Sequence, residues 1–469
     1  MRRWLLVLFI AALSGRAADS VEDWPRLLGP RGDGTSSETG LLESWPAGGP
    51  PVLWDKKVGV GYSGPSVRGD LVVLHHSGDG GEIVECMESA TGATRWRYSY
   101  PSQFIDPYGY NNGPRATPWL TTNRCYTFGA EGKLLCLDLV TGKLIWERDT
   151  AKDWQIPPAF FGVGSSPVLE GNILMVMIGG QPDSGMVGLD ADTGKTVWES
   201  VGEKNWSGEK MLGWPGEPVV AWKAWDKQAS YSTPVVANVH GKRLAFCLMR
   251  QSLVALDPLT SKIAFSRWFR AHVEESVNAA NPVVVDDMVL ISAAYYHVGA
   301  VSLRINANDN GFEELWRDTV LETHWSTPIY VDGYLYAFSG RNEPDARFRC
   351  VELKTGKLMW DRDERWRPHS YRQPEVYGRG SAILAEGKLV VIGEGGLLGL
   401  FRPNPQKAEE ISRWQVPSLE HPCWAAPVLS HKRLYLRSEG HLVCLDLARQ
   451  HRAGISPATG GLRSASALP

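Results

Sequence analysis

Eight short stretches of this chain could carry side chains to a common place. Each reads as small or hydroxyl residues, then proline, then a β-branched run: Gly64-Pro-Ser-Val67, Ala116-Thr-Pro118, Ser165-Ser-Pro-Val168, Ser232-Thr-Pro-Val235, Ala280-Asn-Pro-Val283, Ser326-Thr-Pro-Ile329 and Ala425-Ala-Pro-Val428, with Gly380-Ser-Ala-Ile383 as a degenerate copy. Just before or within them stand hydroxyls, amides, arginines and large aromatics. The resulting candidate ligand-binding set is Tyr62, Arg115, Thr117, Ser166, Tyr231, Asn278, Asn281, His324, Trp325, Arg379 and Trp424. Stacking aromatics beside a few polar groups is the chemistry of a binding cavity. The competing reading for any one of them is structural: hydroxyls cap strand ends, and aromatics cover the rims of sheets.

Longer loops add to the same side. Residues 100–113 hold Tyr100, Phe104, Tyr108 and Tyr110, and residues 201–229 hold Trp206, Trp214, Trp222 and Trp225. Trp154 and Phe160-Phe161 sit in a third loop, and residues 364–379 add Arg365, Trp366, Arg367, His369, Tyr371 and Arg372. Aromatics interleaved with arginines suit sugars, quinones or peptide segments, and equally the self-packing of an oversized loop. Catalytic patterns are missing: there is no Gly-x-Ser-x-Gly, no Walker or Rossmann glycine pattern, and no zinc spacing. No catalytic residue and no metal ligand is therefore assigned, and His75-His76 reads as an exposed strand end.

The elements that must position these residues are repeats. An acidic residue, two variable residues, then Thr-Gly or a variant occurs at Glu88–Gly92, Asp138–Gly142, Asp190–Gly194, Asp257–Ser261 and Glu352–Gly356. Eight positions after each acid stands an aromatic residue: Trp96, Trp146, Trp198, Phe265 and Trp360. The acid can accept turn N–H groups, glycine takes the φ > 0 position, and the aromatic can pack between neighbouring sheets. Trp316 and Trp414 close two further units without the Thr-Gly turn. Each unit supplies four strands, which predicts an all-β fold: an eight-bladed β-propeller of four-stranded antiparallel blades. The last unit lacks its aromatic strand, and Pro51–Val58, with Trp54 in the aromatic place, is expected to complete it and close the ring. The Thr-Gly turns are expected on the face opposite the candidate site.

The 469 residues are 43% hydrophobic and 22% charged with a net charge of −3, so a large core is affordable and no basic stripe points to nucleic acid. Residues 1–17 carry Arg2 and Arg3, an apolar run from Trp4 to Leu13, and small residues up to Ala17, the pattern of a cleaved signal peptide. No cysteine follows that run, so lipidation is not expected, and no later segment reaches transmembrane length. The expected product is periplasmic or secreted and monomeric. It would comprise an arm (20–49) packed on the propeller, the propeller itself (51–450) and a disordered tail (451–469). Cys86, Cys136, Cys350 and Cys444 fall at equivalent places in different units, too far apart to bridge. A two-residue turn at Ala130-Glu131 would set Cys125 opposite Cys136, leaving a disulfide there open. Cys247 and Cys423 have no evident partner.

Taken together, the Asp-x-x-Thr-Gly-Lys-x-x-Trp copies resemble the propeller repeat of the pyrroloquinoline-quinone (PQQ) family over about residues 24–450. That family includes quinoprotein alcohol dehydrogenases and the outer-membrane assembly factor BamB. The arm, with Trp24-Pro, Gly29-Pro-Arg-Gly-Asp-Gly34 and Glu38-Thr-Gly-Leu41, is similar to that of secreted bacterial members without assigned chemistry. For an enzyme of this type the resemblance implies PQQ, a Ca²⁺ site of Glu, Asn and Asp, an Asp base and often a Cys-Cys pair. Here Glu274, Glu275, Asn278 and Asn281 are the nearest approach, and no Cys-Cys pair or Cys-x-x-Cys-His haem motif is present. The leading expectation is therefore an exported, non-catalytic binding or scaffold module that requires no cofactor. Its partner would be an envelope or secreted protein, or a small-molecule or glycan ligand. A PQQ-dependent dehydrogenase with an atypical site and a carbohydrate-binding propeller are the alternatives.

Overall fold

The computed structural model describes residues 19–449 apart from 79, 155, 157–159, 180–184, 201–209, 213–218, 222–228, 272, 274–275, 308–310 and 367–375. The signal segment, the C-terminal tail and the Trp206, Trp214, Trp222 and Trp225 cluster lie outside the described residues.

Eight antiparallel sheets follow one another around a ring. Blade 1 runs from Ser66–Arg68 to Thr94–Pro101, blade 2 from Trp119–Leu120 to Leu144–Asp149, and blade 3 from Val168–Glu170 to Thr196–Ser200. Blade 4 runs from Val235–Val239 to Ile263–Trp268, blade 5 from Val283–Val285 to Phe312–Asp318, and blade 6 from Ile329–Val331 to Leu358–Asp363. Blade 7 spans Ser381–Ala385 to Glu409–Gln415. Blade 8 combines Val428–Ser430, Arg433–Arg437 and His441–Asp446 with the early strand Val52–Lys57. That strand pairs antiparallel with His441–Asp446 and sets Trp54 opposite Cys444, so the ring has no open edge at its seam.

Middle strands such as Lys133–Asp138 read as continuous apolar runs because a neighbouring blade covers each face. Apolar clusters accordingly sit between blades, for example Val84 and Cys86 of blade 1 with Leu135 and Leu137 of blade 2. Among the described residues no helix is long and apolar enough to cross a membrane.

The repeat signature is the joint between blades. In blade 2 the Asp138 carboxylate accepts from Thr141 N and Oγ1 at 2.8 and 2.7 Å, fixing the turn. Gly142 then takes φ 71° and lies flat on the Trp96 indole of blade 1, where an added Cβ would fall 2.5 Å from a ring carbon. The Trp96 N–H donates to Leu139 O of the same turn at 2.9 Å. Trp54 on Gly92, Trp146 on Gly194 and Trp316 on Gly356 repeat this geometry. Directly across the sheet from three of the signature tryptophans stands a cysteine: Cys86 opposite Trp96, Cys136 opposite Trp146, and Cys350 opposite Trp360. These cysteines are therefore buried floor residues beneath the indoles.

The open question at Cys125 and Cys136 resolves against a bridge. The hairpin closes between Gly129 and Lys133 around a three-residue loop, Ala130 to Gly132, rather than a two-residue turn, which shifts the register by one. Cys125 faces Leu137 while Cys136 faces Tyr126, and all seven thiols are free and buried. The reading of His75-His76 as exposed is also corrected. Both are buried, His75 against Tyr100 (3.0 Å) and Glu82 (3.2 Å), and His76 against Glu85 (3.2 Å), across the hairpin of blade 1.

The arm crosses the far end of the central channel. Trp24 bridges to Val67, Pro25 O accepts from Leu120 N, and Gly34 O accepts from Leu384 N. Thr35–Ser36 adds a parallel edge to blade 7, and the buried Glu38 carboxylate accepts from His431 N and Lys432 N. Trp24 and Trp45 are both buried.

Gly142→Ala should test the joint. The substitution adds left-handed strain and a clash with the Trp96 indole seated on the turn, and should cost about 2 kcal/mol in urea unfolding. Exposed Lys143→Ala should stay within about 0.5 kcal/mol of wild type.

Candidate functional site

On the face opposite the Thr-Gly turns, the ring opens into a cavity of about 390 Å³, floored by Leu27 and Leu28 of the arm. Two kinds of connection reach it: the links from an outer strand to the next blade's innermost strand, and the turns between second and third strands. The candidate residues Tyr62, Arg115, Thr117, Ser166, Tyr231, Asn281, His324, Trp325, Arg379 and Trp424 all line it. Asn278 does not. Its amide is buried and donates to Met249 O at 2.8 Å and Phe269 O at 3.1 Å, tying blade 4 together. Tyr377, from the same family of positions, is buried behind the wall and hydrogen-bonds Glu410.

Deep in the cavity, the hydroxyl and amide residues form a relay from blade to blade. Gly64 N donates to Thr117 Oγ1 (3.1 Å), Thr117 N to Ser166 Oγ (2.8 Å), and Ser166 N to Thr233 Oγ1 (2.9 Å). Thr233 N donates to Asn281 Oδ1 (2.7 Å), and Asn281 N to Thr327 Oγ1 (3.4 Å). These side chains satisfy backbone N–H groups that the innermost strands would otherwise bury unpaired. These side chains staple strand starts and also line the cavity.

Higher up, aromatic rings form a connected arc. Tyr62 meets Trp424 at 4.7 Å between centroids, Trp424 meets Trp325 at 4.8 Å, Trp325 meets His324 at 4.8 Å, and His324 meets Tyr295 at 5.2 Å. Phe161, Tyr108 and Tyr110 continue the wall on the other side. Guanidinium groups lie against these rings: Arg115 over Tyr62 (5.4 Å), Arg379 over Trp325 (4.7 Å), and Arg341 over Tyr295 (4.3 Å). Each such contact contributes about 0.5–2 kcal/mol.

The carboxylates near the cavity are engaged. Asp106 pairs with Arg115 at 2.8 Å. Glu394, fully buried, receives Arg379 Nη2 at 2.8 Å, Arg379 N at 2.9 Å and Trp424 Nε1 at 3.1 Å, and the same Nη2 reaches Glu343. Burial alone would raise the Glu394 pKa, but hydrogen bonds from His421 and Arg379 with the Arg379 charge outweigh it and pull it to about 2. Burial, with the charges of Arg379 and Arg341, lowers the His324 pKa to about 3, so its imidazole is neutral at pH 7.

One carboxylate group sits near a candidate cation geometry: Glu343, Glu394 and His421 offer ligand atoms within 4.8 Å of one another. This set does not fit a calcium ion. Calcium takes six to eight oxygens, and here the Arg379 guanidinium already occupies the space between the two carboxylates. Of the residues that came nearest to a calcium set in the sequence, Asn278 and Asn281 hold backbone groups, and Glu274 and Glu275 lie outside the described residues.

Arg341, Tyr295, Tyr296 and Glu394 are cavity or wall residues that the proline marker does not point to. They lie on turns between second and third strands, where the only sequence signals are the insertions around Tyr295–His297 and Glu343–Asp345 and a Glu within Gly393-Glu-Gly-Gly396.

A family model described as outer membrane protein assembly factor BamB matches residues 80–362. No curated protein sequence matches. Among solved structures, BamB from Moraxella catarrhalis is 14% identical with a TM-score of 0.55, covering 85% of this chain and 98% of that one. The quinohemoprotein alcohol dehydrogenase from Comamonas testosteroni is 14% identical with a TM-score of 0.59, covering 94% and 82%. A europium-containing methanol dehydrogenase is 13% identical with a TM-score of 0.53, covering 89% and 90%. At such identities the likeness is one of fold.

The loop that delivers Arg379 is anchored by Glu364, whose carboxylate accepts from Tyr377 N at 2.7 Å and pairs with Arg362 at 2.8 Å. Burial raises its pKa from 4.5 to about 7 against the pull of Arg362. A carboxyl raised on folding stabilises fully below its unfolded pKa, and that contribution is lost as pH rises through the folded value. Glu364→Gln should therefore match wild type near pH 4 in denaturant unfolding. Between pH 4.5 and 7, wild type should lose about 3 kcal/mol relative to the variant.

Proposed function

The chain belongs to the PQQ-like propeller family of the outer membrane protein assembly factor BamB, and on that premise we propose that it is an exported, non-catalytic binding module whose ligand enters the funnel cavity. Export is supported by the Arg2-Arg3 and apolar pattern of residues 1–17. Binding is supported above all by the cavity itself, about 390 Å³, floored by the arm and walled by aromatic rings and arginines. That is the size and lining of a small-ligand site. A scaffold that meets its partner only through the outer rim would not need a floored, aromatic interior.

The absence of catalysis is supported by the state of the carboxylates. A general base must be free to take a proton, and Asp106, Glu343 and Glu394 are each paired with a guanidinium. A PQQ-dependent oxidoreductase is the second reading, favoured by the fold shared with the quinohemoprotein alcohol dehydrogenase. The residues present do not fit a quinone with its calcium, because Arg379 stands where the cation would need oxygens. No reaction step is derived through that group.

Thermal-shift screening of the purified protein against saccharides, quinones and short peptides tests the proposal. One class should raise the melting temperature, by the equivalent of about 2.7 kcal/mol at a hundredfold excess over Kd. Trp424→Ala should abolish that shift while leaving the unliganded protein folded. Dye-linked alcohol oxidation on addition of PQQ and Ca²⁺ would sink the non-catalytic assignment.

A further inference from the structure

Resting on the ligand-binding reading above, we infer that the cavity takes an acidic saccharide, one whose sugar rings carry carboxylate or sulfate groups. Three independent features of the wall select it.

The first is shape. Successive rings of the arc are tilted: Tyr62 to Trp424 by 47°, Trp424 to Trp325 by 40°, and Trp325 to His324 by 52°. A flat fused-ring ligand could lie against only one such surface at a time. Puckered pyranose rings joined through glycosidic bonds change tilt from unit to unit, and each can set its C–H face on a different ring.

The second is hydrogen-bond polarity. The oxygens of Thr117, Ser166 and Thr233 each accept a backbone N–H, so the hydroxyl protons are what they can offer a ligand. Asn281 likewise uses its carbonyl on Thr233 N and keeps its NH₂. With Asp106, Glu343 and Glu394 paired to arginines, the interior is rich in donors and poor in acceptors. A neutral sugar brings its own donors and would leave groups unmatched on both sides, at a cost of about 1–3 kcal/mol each.

The third is charge. Arg341 lines the cavity against Tyr295 and Tyr296, and among the described residues it pairs with no carboxylate. A sugar carboxylate or sulfate would give it a charge-assisted partner.

Isothermal titration and tryptophan fluorescence of the full-length mature protein test this with tri-galacturonate, a sulfated galactan oligosaccharide, neutral galactotriose and PQQ as the flat comparator. At least one acidic oligosaccharide should bind at least tenfold more tightly than galactotriose and change the emission. Which of the two binds identifies carboxylate or sulfate as the anion. Arg341→Gln, with its melting temperature measured as a folding control, should erase most of that preference by weakening the acidic oligosaccharide far more than galactotriose. Equal affinity for galactotriose, binding of PQQ alone, or no binding of either acidic compound would overturn the inference. If the broader screen still finds a ligand of another class that Trp424→Ala loses, the cavity reading stands and only the acidic-saccharide assignment fails. If that screen is also silent, both fall.

Discussion

The structure depends on one contact, repeated around most of the ring: the indole of an outer strand lies beneath the turn glycine of the next blade. The contact couples three requirements that are separate in sequence. The turn needs φ > 0, the indole needs a surface without a Cβ, and the indole N–H needs an acceptor. Gly142 meets the first two against Trp96, and Leu139 O meets the third. This is why the acid, the glycine and the aromatic keep fixed spacing. It is also why small residues stand across the sheet from the rings: at Gly188, opposite Trp198, an added Cβ would lie 2.2 Å from the indole.

Where the joint is altered, the molecule compensates locally. Blade 4 places Ser261, at φ 62°, where blade 3 has Gly194, and the Trp198 N–H finds no acceptor among the described residues. Phe265 has no N–H to satisfy and meets Phe312 of the next blade at 5.3 Å instead. Trp414 faces a blade without a Thr-Gly turn, and the arm supplies the missing glycine: a Cβ on Gly49 would lie 2.1 Å from that ring. The arm thus does three things with one extended segment. It completes a joint, ties blades 7, 8, 1 and 2 together, and floors the cavity.

The joint and the ring were legible because their constraints are local in sequence: a turn, a glycine, and an aromatic eight residues after the acid. The gathering of Tyr62, Arg115, His324, Trp325, Arg379 and Trp424 was legible for a related reason, since each precedes a strand start that must sit near the axis. What lay hidden depends on register and on the other set of turns. Glu82 and Glu85 bury the adjacent histidines only because the hairpin of blade 1 brings them across, which composition does not reveal. Arg341 and Glu394 sit on turns with no residue pattern of their own. Thr117 and Ser166 read as ambiguous because a hydroxyl can be an acceptor for the backbone and a donor to a ligand at once.

That double use extends to the arginines and gives the cavity its character. A guanidinium on an aromatic face fixes the ring and is itself fixed by a carboxylate below, as Arg379 is between Trp325 and Glu394. Removing either charge would leave the other buried without compensation, so the set is held together more strongly than any one contact suggests. The same arrangement withdraws the carboxylates from the cavity surface and leaves donors and rings facing inward. Burial and its two neighbouring cations hold the His324 imidazole of this wall neutral at pH 7. Rigidity and polarity therefore have a common origin: the groups that orient the rings are the ones that decide which hydrogen bonds remain available inside.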